Sequence, residues 1–470
     1  MKNGDDFFDS DEFRDLLSTY EEAVSSGQPI FMDAEELSEI ADYYQMNNRP
    51  DDADDAITLA LSLSPGAIAP LTYKIHEALS NGDTDEAERY FMQIIETDAP
   101  DYVYDRAEIL LAKGLVDDAD AYLREQLRDV PPEEYQDYVI DVANIFQDYN
   151  LNDKAMEWMV RARQEDTPAF KELMARTLLG LGKYDDSIRL FNELIDTDPF
   201  SANYWKALAS AQFMNQDYRN AVQSSEYAIA IDPDDPEGLI SKADSLYQLA
   251  DYEGALDFYR RYSNIVADDD YSLLHQGTCL INLGHNSLAI DTLRQALHCA
   301  PPDSRLLCDI LQELAFAYSE NGDTAKALAT LDDTLTLDCD HVYILVIRGH
   351  VMLTAGRLAE AEHCFRQAIV SSDNPSQTLF RIIISVYDNK YVETAYTLFK
   401  KYFHIIGDDC NEGYAYMALC CHDLAKTDEY HRYLREACRR NPLECRQALG
   451  HLFPDDVDPS DYYHYLINSI

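Results

Sequence analysis

Basic residues are scarce in this chain. Its 37 lysines and arginines face 87 aspartates and glutamates, for a formal net charge of −50. The shortage is steepest over residues 1–150, which hold 9 bases and 37 acids. Nucleic acids and anionic membranes need basic surface, so neither is an expected partner. Cysteine is absent from the first 278 residues, and all ten lie between Cys279 and Cys445. A secreted disulfide scaffold would spread its cysteines over the units it staples, so these read as reduced core thiols. No uninterrupted apolar run is long enough to span a bilayer, and the opening MKNGDDFFDSDEF has no apolar stretch before a cleavage site. A cytoplasmic location is expected.

Catalytic signatures are also missing. There is no G-x-x-x-x-G-K-S/T, no G-x-G-x-x-G after a strand, no G-x-S-x-G and no H-E-x-x-H. Carboxylates abound, but general acid–base work needs two environments that split their pKa values, and exposed helices do not supply that difference. Cys410, Cys420, Cys421, His422, His431, Cys438 and Cys445 form a Cys/His-rich region, yet the chain contains no C-x-x-C pair to anchor a zinc ion. The acidic runs at Asp232–Asp235 and Asp268–Asp270 lack a calcium loop's alternation and fall at turns, where aspartate caps local backbone. An enzyme is not expected, and neither is a metal or cofactor.

What the chain does have is a period. A helical-hairpin pattern returns about every 34 residues, roughly twelve times. The eighth position of each first helix reads Ala41, Ile75, Ala107, Ala143, Ala175, Ala209, Ala243, Gly277, Ala315, Gly349, Ile383 and Ala418. A small residue there lets two amphipathic helices approach closely. Its counterpart on the second helix is usually alanine, from Ala53 to Ala395, with Ser187 and Tyr430 departing from it. Turn signals such as Asn81-Gly82-Asp83 and Asn321-Gly322-Asp323 separate the two helices, and Pro65, Pro199, Pro233, Pro301 and Pro442 close units. Asp33 followed by Glu36 predicts a capping box at the first repeat.

The unit Asn203–Pro233 carries Trp205, Leu208, Ala209, Ala221, Ala228 and Pro233 at the spacing W-x-x-L-G … A … P. Over roughly residues 32 to 443 the chain therefore resembles the tetratricopeptide-repeat proteins. The resemblance implies an all-α fold, a right-handed solenoid of about twelve hairpins with helical caps. The stretches FMDAEELSEIADYY and DDAITLALSLSPG are also similar to acidic, tyrosine- and alanine-rich repeat proteins of Bacteroidetes, a group of undefined role. The expected organisation is an acidic capping helix over 1–31, repeats over 32–132, 133–303 and 304–443, and a helical cap and tail over 444–470. In the first segment Phe7, Phe8, Phe13, Leu16, Leu17, Tyr20 and Val24 give a helix one apolar face, suited to covering an open solenoid end.

With chemistry set aside, binding remains. In the repeat family, positions two, five, six and nine of the first helix line a concave groove. Here that strip reads Glu35, Glu39 and Asp42, then Tyr73 and His76, then Asp101, Tyr104, Asp105 and Glu108, then Asp137, Asp141 and Asn144. Acids interleaved with tyrosines suit a basic or amphipathic protein segment, held by charge pairing and cation–π contact. Later units offer His275, Tyr343, His350, Phe380, Arg381 and Tyr416, which reads as aromatic and near-neutral. The family's clamp for chaperone carboxylates is absent, because Lys206 is the only lysine at position five and is followed by Ser210. The expected function is a non-enzymatic scaffold or adaptor. The alternative is self-association, in which the basic helix Arg432–Arg446 meets the acidic N-terminal end of another copy.

Overall fold

The computed structural model describes residues 7–8, 10–162, 167–407, 410–454 and 457–468. Residues 1–6 and 9 of the expected N-terminal cap, and 455–456 and 469–470 of the expected C-terminal cap and tail, lie outside them. All regular structure among the described residues is helical, in consecutive antiparallel pairs such as Ala34–Met46 with Pro50–Leu63 and Ala202–Met214 with Tyr218–Ile231. The chain divides into two compact units, Met1–Lys183 and Tyr184–Ile470. Longer connections follow the helices Val116–Gln126 and Asn286–Cys299.

Pair geometry follows from the small residues. Ala41, Ala107, Ala143, Ala175, Ala209, Ala243, Ala315 and Ala418 are all fully buried, and so are Ala53, Ala87, Ala119, Ala155, Ala221, Ala255, Ala289, Ala327, Ala361 and Ala395 across from them. A Cβ on Gly277 would stand 2.5 Å from the Leu293 side chain, and one on Gly349 would stand 2.2 Å from the Phe365 ring. The two glycines therefore answer larger residues on the facing helix. Each pair hides only part of its apolar surface; Phe191 and Phe399, both fully buried, show how stacking neighbours completes the core.

Caps account for part of the acidity. Asp33 accepts from Glu36 N while Glu36 accepts from Asp33 N, each at 2.9 Å, forming the expected capping box. Asp83, Asp217, Asp251 and Asp323 cap second helices, and Asp235, Asp269 and Asp340 cap first helices. The runs at Asp232–Asp235 and Asp268–Asp270 thus serve the backbone at helix starts, where negative charge also suits the helix dipole. Pro442 follows the end of the helix Thr427–Arg440, as expected, and also opens the helix Pro442–Leu449, where its missing N–H has no partner to lose.

Every turn within a pair passes through one residue at positive φ. Six are glycines, such as Gly82, Gly182 and Gly356; the others are Asn48, Asn150, Gln216, Ala250, Lys390 and Ala425. A side chain at such a φ costs roughly 1–2 kcal/mol, partly offset by glycine's larger unfolded-state entropy. At Ala250 (φ 59), Ala250→Gly is therefore expected to stabilise the C-terminal unit by about 0.5–1 kcal/mol. A urea-unfolding midpoint that falls rather than rises would refute this.

At the start of the N-terminal unit the helix Asp11–Ser26 buries Phe13 and Tyr20, with Phe13 5.1 Å from the Tyr43 ring. Leu16 and Leu17 are half-buried, but Val24 is exposed. The apolar face ends before the last turn, which leads into Gly27 and the connection to the first pair. In the C-terminal unit the cap turns back. Arg446 Nε donates to Leu249 O at 3.2 Å, and Arg219 reaches Val457 O at 3.4 Å and Asp458 at 3.8 Å. Phe453 stacks on Tyr462 at 4.0 Å to seal this end.

One cysteine pair differs from the expectation of reduced thiols. Cys308 and Cys339 are joined by a disulfide, with Cα atoms 5.7 Å apart. Both sit where first helices of neighbouring pairs begin, a juxtaposition that the stacking creates and that linear spacing hides. Cys279, Cys420 and Cys438 are free and buried, while Cys299 is half-exposed and lies 3.4 Å from Asp268.

Candidate partner-binding groove

The first helices of the N-terminal unit, Ala34–Met46, Ile68–Ser80, Pro100–Ala112 and Tyr135–Asp148, present the predicted residues along one strip. Contacts run from repeat to repeat. Tyr73 donates to Gln45 Oε1 at 3.2 Å, and Thr72 donates to Asp105 Oδ2 at 2.7 Å. His76 Nε2 lies 3.5 Å from Asp105 and 3.3 Å from Glu108, and Tyr104 donates to Asp141 Oδ2 at 3.1 Å. Tyr149 donates to the Glu108 carbonyl at 3.3 Å. Stacking therefore brings Asp42, Tyr73, Asp101, Tyr104, Asp105, Glu108 and Asp141 into one connected array around His76. Glu35 and Asp137 stand exposed at helix starts, while Glu39 and Asn144 are half-buried on the same strip.

The electrostatics of this array are those of acid without enough countercharge. Partial desolvation between the helices raises Asp42, Asp101, Glu108, Asp141 and Asp148 above the usual carboxylate range. Repulsion from Asp105 adds to the effect at Asp101 and Glu108, and repulsion from Asp137 adds to it at Asp141. Desolvation alone would depress His76, but Asp105, Glu108 and Asp42 outweigh it and raise its pKa. Arg176 partly offsets the burial of Asp148 from 3.4 Å. Asp105 itself is 1% exposed and is held by Thr72, which makes it a structural part of the strip. Asp148 was missed in the sequence. It lies one turn beyond position nine on the same face, so carrying the strip to position thirteen would have found it.

The C-terminal unit has an inner strip of its own, and it is less neutral than composition suggests. His275, Tyr343, His350, Phe380, Arg381 and Tyr416 are there, but Asp309, Glu313, Glu320 and Asp388 lie among them. His350 Nδ1 is 3.1 Å from both Ser385 and Asn389, and its Nε2 is 3.6 Å from Glu320. Arg381 stacks on Tyr343 at 4.5 Å and reaches Asp340 at 3.4 Å. Among the described residues no group of three or more His, Cys, Asp or Glu is arranged to hold a metal ion, and no helix is long and apolar enough to cross a membrane.

The sequence profile of the family described as "Tetratricopeptide repeat" matches residues 74–134 and 173–236. Those two stretches carry tetratricopeptide repeats. The repeat chain is 30% identical over 117 residues to the Cellulose synthase operon protein C of Escherichia coli K12, a match covering 22% of this chain. It spans about a tenth of that relative's length. Similar solved structures include YrrB, titled a TPR protein with an unusual peptide-binding site (18% identity, TM-score 0.35, 41% of this chain and 95% of that one). The hetero-tetramer Cut9-Hcn1 matches at 16% identity and TM-score 0.38, over 85% of this chain and 76% of that one. MamA from Desulfovibrio magneticus RS-1 matches at 15% identity and TM-score 0.35, over 37% and 97%. These structural likenesses carry no functional weight.

Proposed function

We propose that the protein is a non-enzymatic scaffold or adaptor that holds a basic or amphipathic segment of another protein along the inner strip of its N-terminal unit. The observation that carries this reading is the array of raised carboxyls around His76. Each holds its proton more tightly than a free carboxyl because its ionised form is poorly compensated. A lysine or arginine laid along the strip would supply the missing charge, and Tyr73 and Tyr104 offer ring faces to its stem and head. No observation favours head-to-tail assembly. The basic stretch Arg432–Arg446 is not one helix but parts of two, Thr427–Arg440 and Pro442–Leu449, broken at Pro442, and its arginines are engaged within the chain, Arg439 and Arg440 on Glu436 and Arg446 on Leu249 O.

The test uses a short fluorescent peptide of alternating glycine and arginine, titrated into the full chain at about 0.1 M salt. The variant D101N/E108Q/D141N is expected to bind about tenfold more weakly, equivalent to about 1.4 kcal/mol. Affinity of the parent protein should climb as pH rises from 5 to 8. Rising pH ionises carboxyls that hold their protons more tightly than free ones and removes the competing charge of His76. Unchanged affinity in the triple variant, or a pH profile of opposite slope, would overturn the groove reading. A mass that grows with concentration in light scattering would bring self-association forward.

A further inference from the structure

Glu313 is the feature that the N-terminal groove does not explain. It sits mid-helix in Leu307–Glu320, half-buried, at the position-six site that His275 occupies one repeat earlier. Its carboxyl makes no hydrogen bond or ion pair with a described residue. Tyr247 and Tyr343, from first helices on either side, lie close enough that a charge on Glu313 disfavours their ionisation. His275 stands between Tyr247, Tyr259 and Tyr271, with ring centroids at 5.3, 5.4 and 4.4 Å, and its Nδ1 is buried without a partner. Asp244 accepts from the hydroxyls of Tyr259 and Tyr271 at 2.6 and 3.1 Å, fixing those two rings.

The C-terminal cap encloses this strip. Arg446 returns to Leu249, at the turn just after Tyr247, while Tyr416 lies within electrostatic reach of Tyr252. Helices from Pro236–Gln248 to Tyr414–Asp423 thus complete a turn around their own inner face. Glu313 is thus an acid on this strip with tyrosine hydroxyls of the neighbouring first helices within electrostatic reach and no described cation paired to it.

We infer that the inner strip of the C-terminal unit holds a discrete site for a single arginine or lysine side chain of a bound polypeptide, with Glu313 as its counter-ion and Tyr247 as its ring wall. The site is separate from the acidic strip of the N-terminal unit and does not rest on it. The charged and titratable groups around Glu313 are Asp309 on its own helix, Tyr247, His275 and Tyr343 from the neighbouring helices, and Arg381, which is already committed to Tyr343 and Asp340. Burial, with repulsion from Asp309, pushes the Glu313 carboxyl up to about 7. Near pH 7 the empty site is then about half protonated, and docking a cation drives that proton off.

The experiment is calorimetric titration of the full chain with the glycine–arginine peptide at pH 7, repeated in two buffers of different ionisation enthalpy to count protons released. Glu313→Gln is expected to weaken binding about fivefold and to remove about half a proton of release. D101N/E108Q/D141N should keep that proton. Gln replaces a carboxyl that already carries a proton half the time, so a thermal melt should show the variant folded. As a second handle, Tyr247→Phe should bind like the parent because its ring face is intact, while Tyr247→Leu should bind like Glu313→Gln. If Glu313→Gln leaves both affinity and proton release unchanged, the site is not there. If it alone responds while the triple variant does not, this site stands and the N-terminal groove reading falls.

Discussion

Replacing Trp158 by alanine is expected to cost the N-terminal unit about 3–5 kcal/mol. That is a large share of the stability of any domain, which lies at about 5–15 kcal/mol. The indole is fully buried, edge-on to the Tyr138 ring at 6.3 Å and covered by the Arg161 guanidinium at 4.3 Å. Its N–H donates to Asp120 Oδ1 at 2.9 Å. Asp120 is 6% exposed and also receives Lys154 at 3.0 Å and Arg124 at 2.8 Å. Burial would raise its pKa, but hydrogen bonds from Arg124, Lys154 and Trp158 outweigh that and lower it.

Alanine therefore opens a cavity and also strips one donor from a buried carboxylate. Trp158→Phe separates the two effects. It keeps most of the volume and loses the N–H, so about 1–3 kcal/mol is expected. Urea unfolding with hydrogen exchange read over residues 135–159 tests both variants. Equal losses in the two would mean that the hydrogen bond, not the packing, dominates. A loss under about 1 kcal/mol in Trp158→Ala would contradict the account.

How much of this was visible in the sequence depends on whether the contact is periodic. Position eight and its counterpart recur because every pair must bring two backbones together, so Ala209 and Ala221 are legible without coordinates. The αL turn residue recurs as well, but only where it is glycine does the letter announce it. Ala250 and Lys390 occupy the same conformation and give no sign. The strip around His76 was legible in outline, because side-chain direction on a helix follows from position. What could not be read is contact between residues separated by whole repeats: Arg446 with Leu249, Arg219 with Asp458, Cys308 with Cys339. The first two depend on the curvature of the stack and the third on how neighbouring repeats meet, neither of which a single repeat encodes. Glu313 was passed over for a related reason. Charge summed over a long window hides one acid whose weight comes from its lack of a partner.

Glu444→Gln is expected to make the C-terminal cap more stable at neutral and alkaline pH and to flatten its pH dependence. Glu444 is 6% exposed, in the first turn of Pro442–Leu449, with its N–H capped by Asn441. One carboxyl oxygen accepts from Gly413 N at 2.7 Å; the other is buried with no partner. Burial pushes this carboxyl up from 4.5 to about 8, with a smaller push from Glu412, against the Gly413 hydrogen bond that favours ionisation. Tyr402 and Tyr416 face it and both feel its charge, while Arg440 is occupied with the Cys410 carbonyl at 2.8 Å. The sign follows from proton binding. Below pH 4.5 the group is protonated in folded and unfolded chains alike and costs nothing. As pH rises through 4.5 the unfolded chain gives up its proton while the folded one retains it, so stability falls until about pH 8 and then levels off. The full cost is on the order of 5 kcal/mol. Glutamine keeps the acceptor for Gly413 N and never ionises, so it should remove that slope. The measurement is hydrogen exchange of residues 410–449 between pH 5 and 9, corrected for intrinsic rates, in the parent and the variant. Parallel profiles would show that the Glu444 carboxyl is not held protonated in the folded cap.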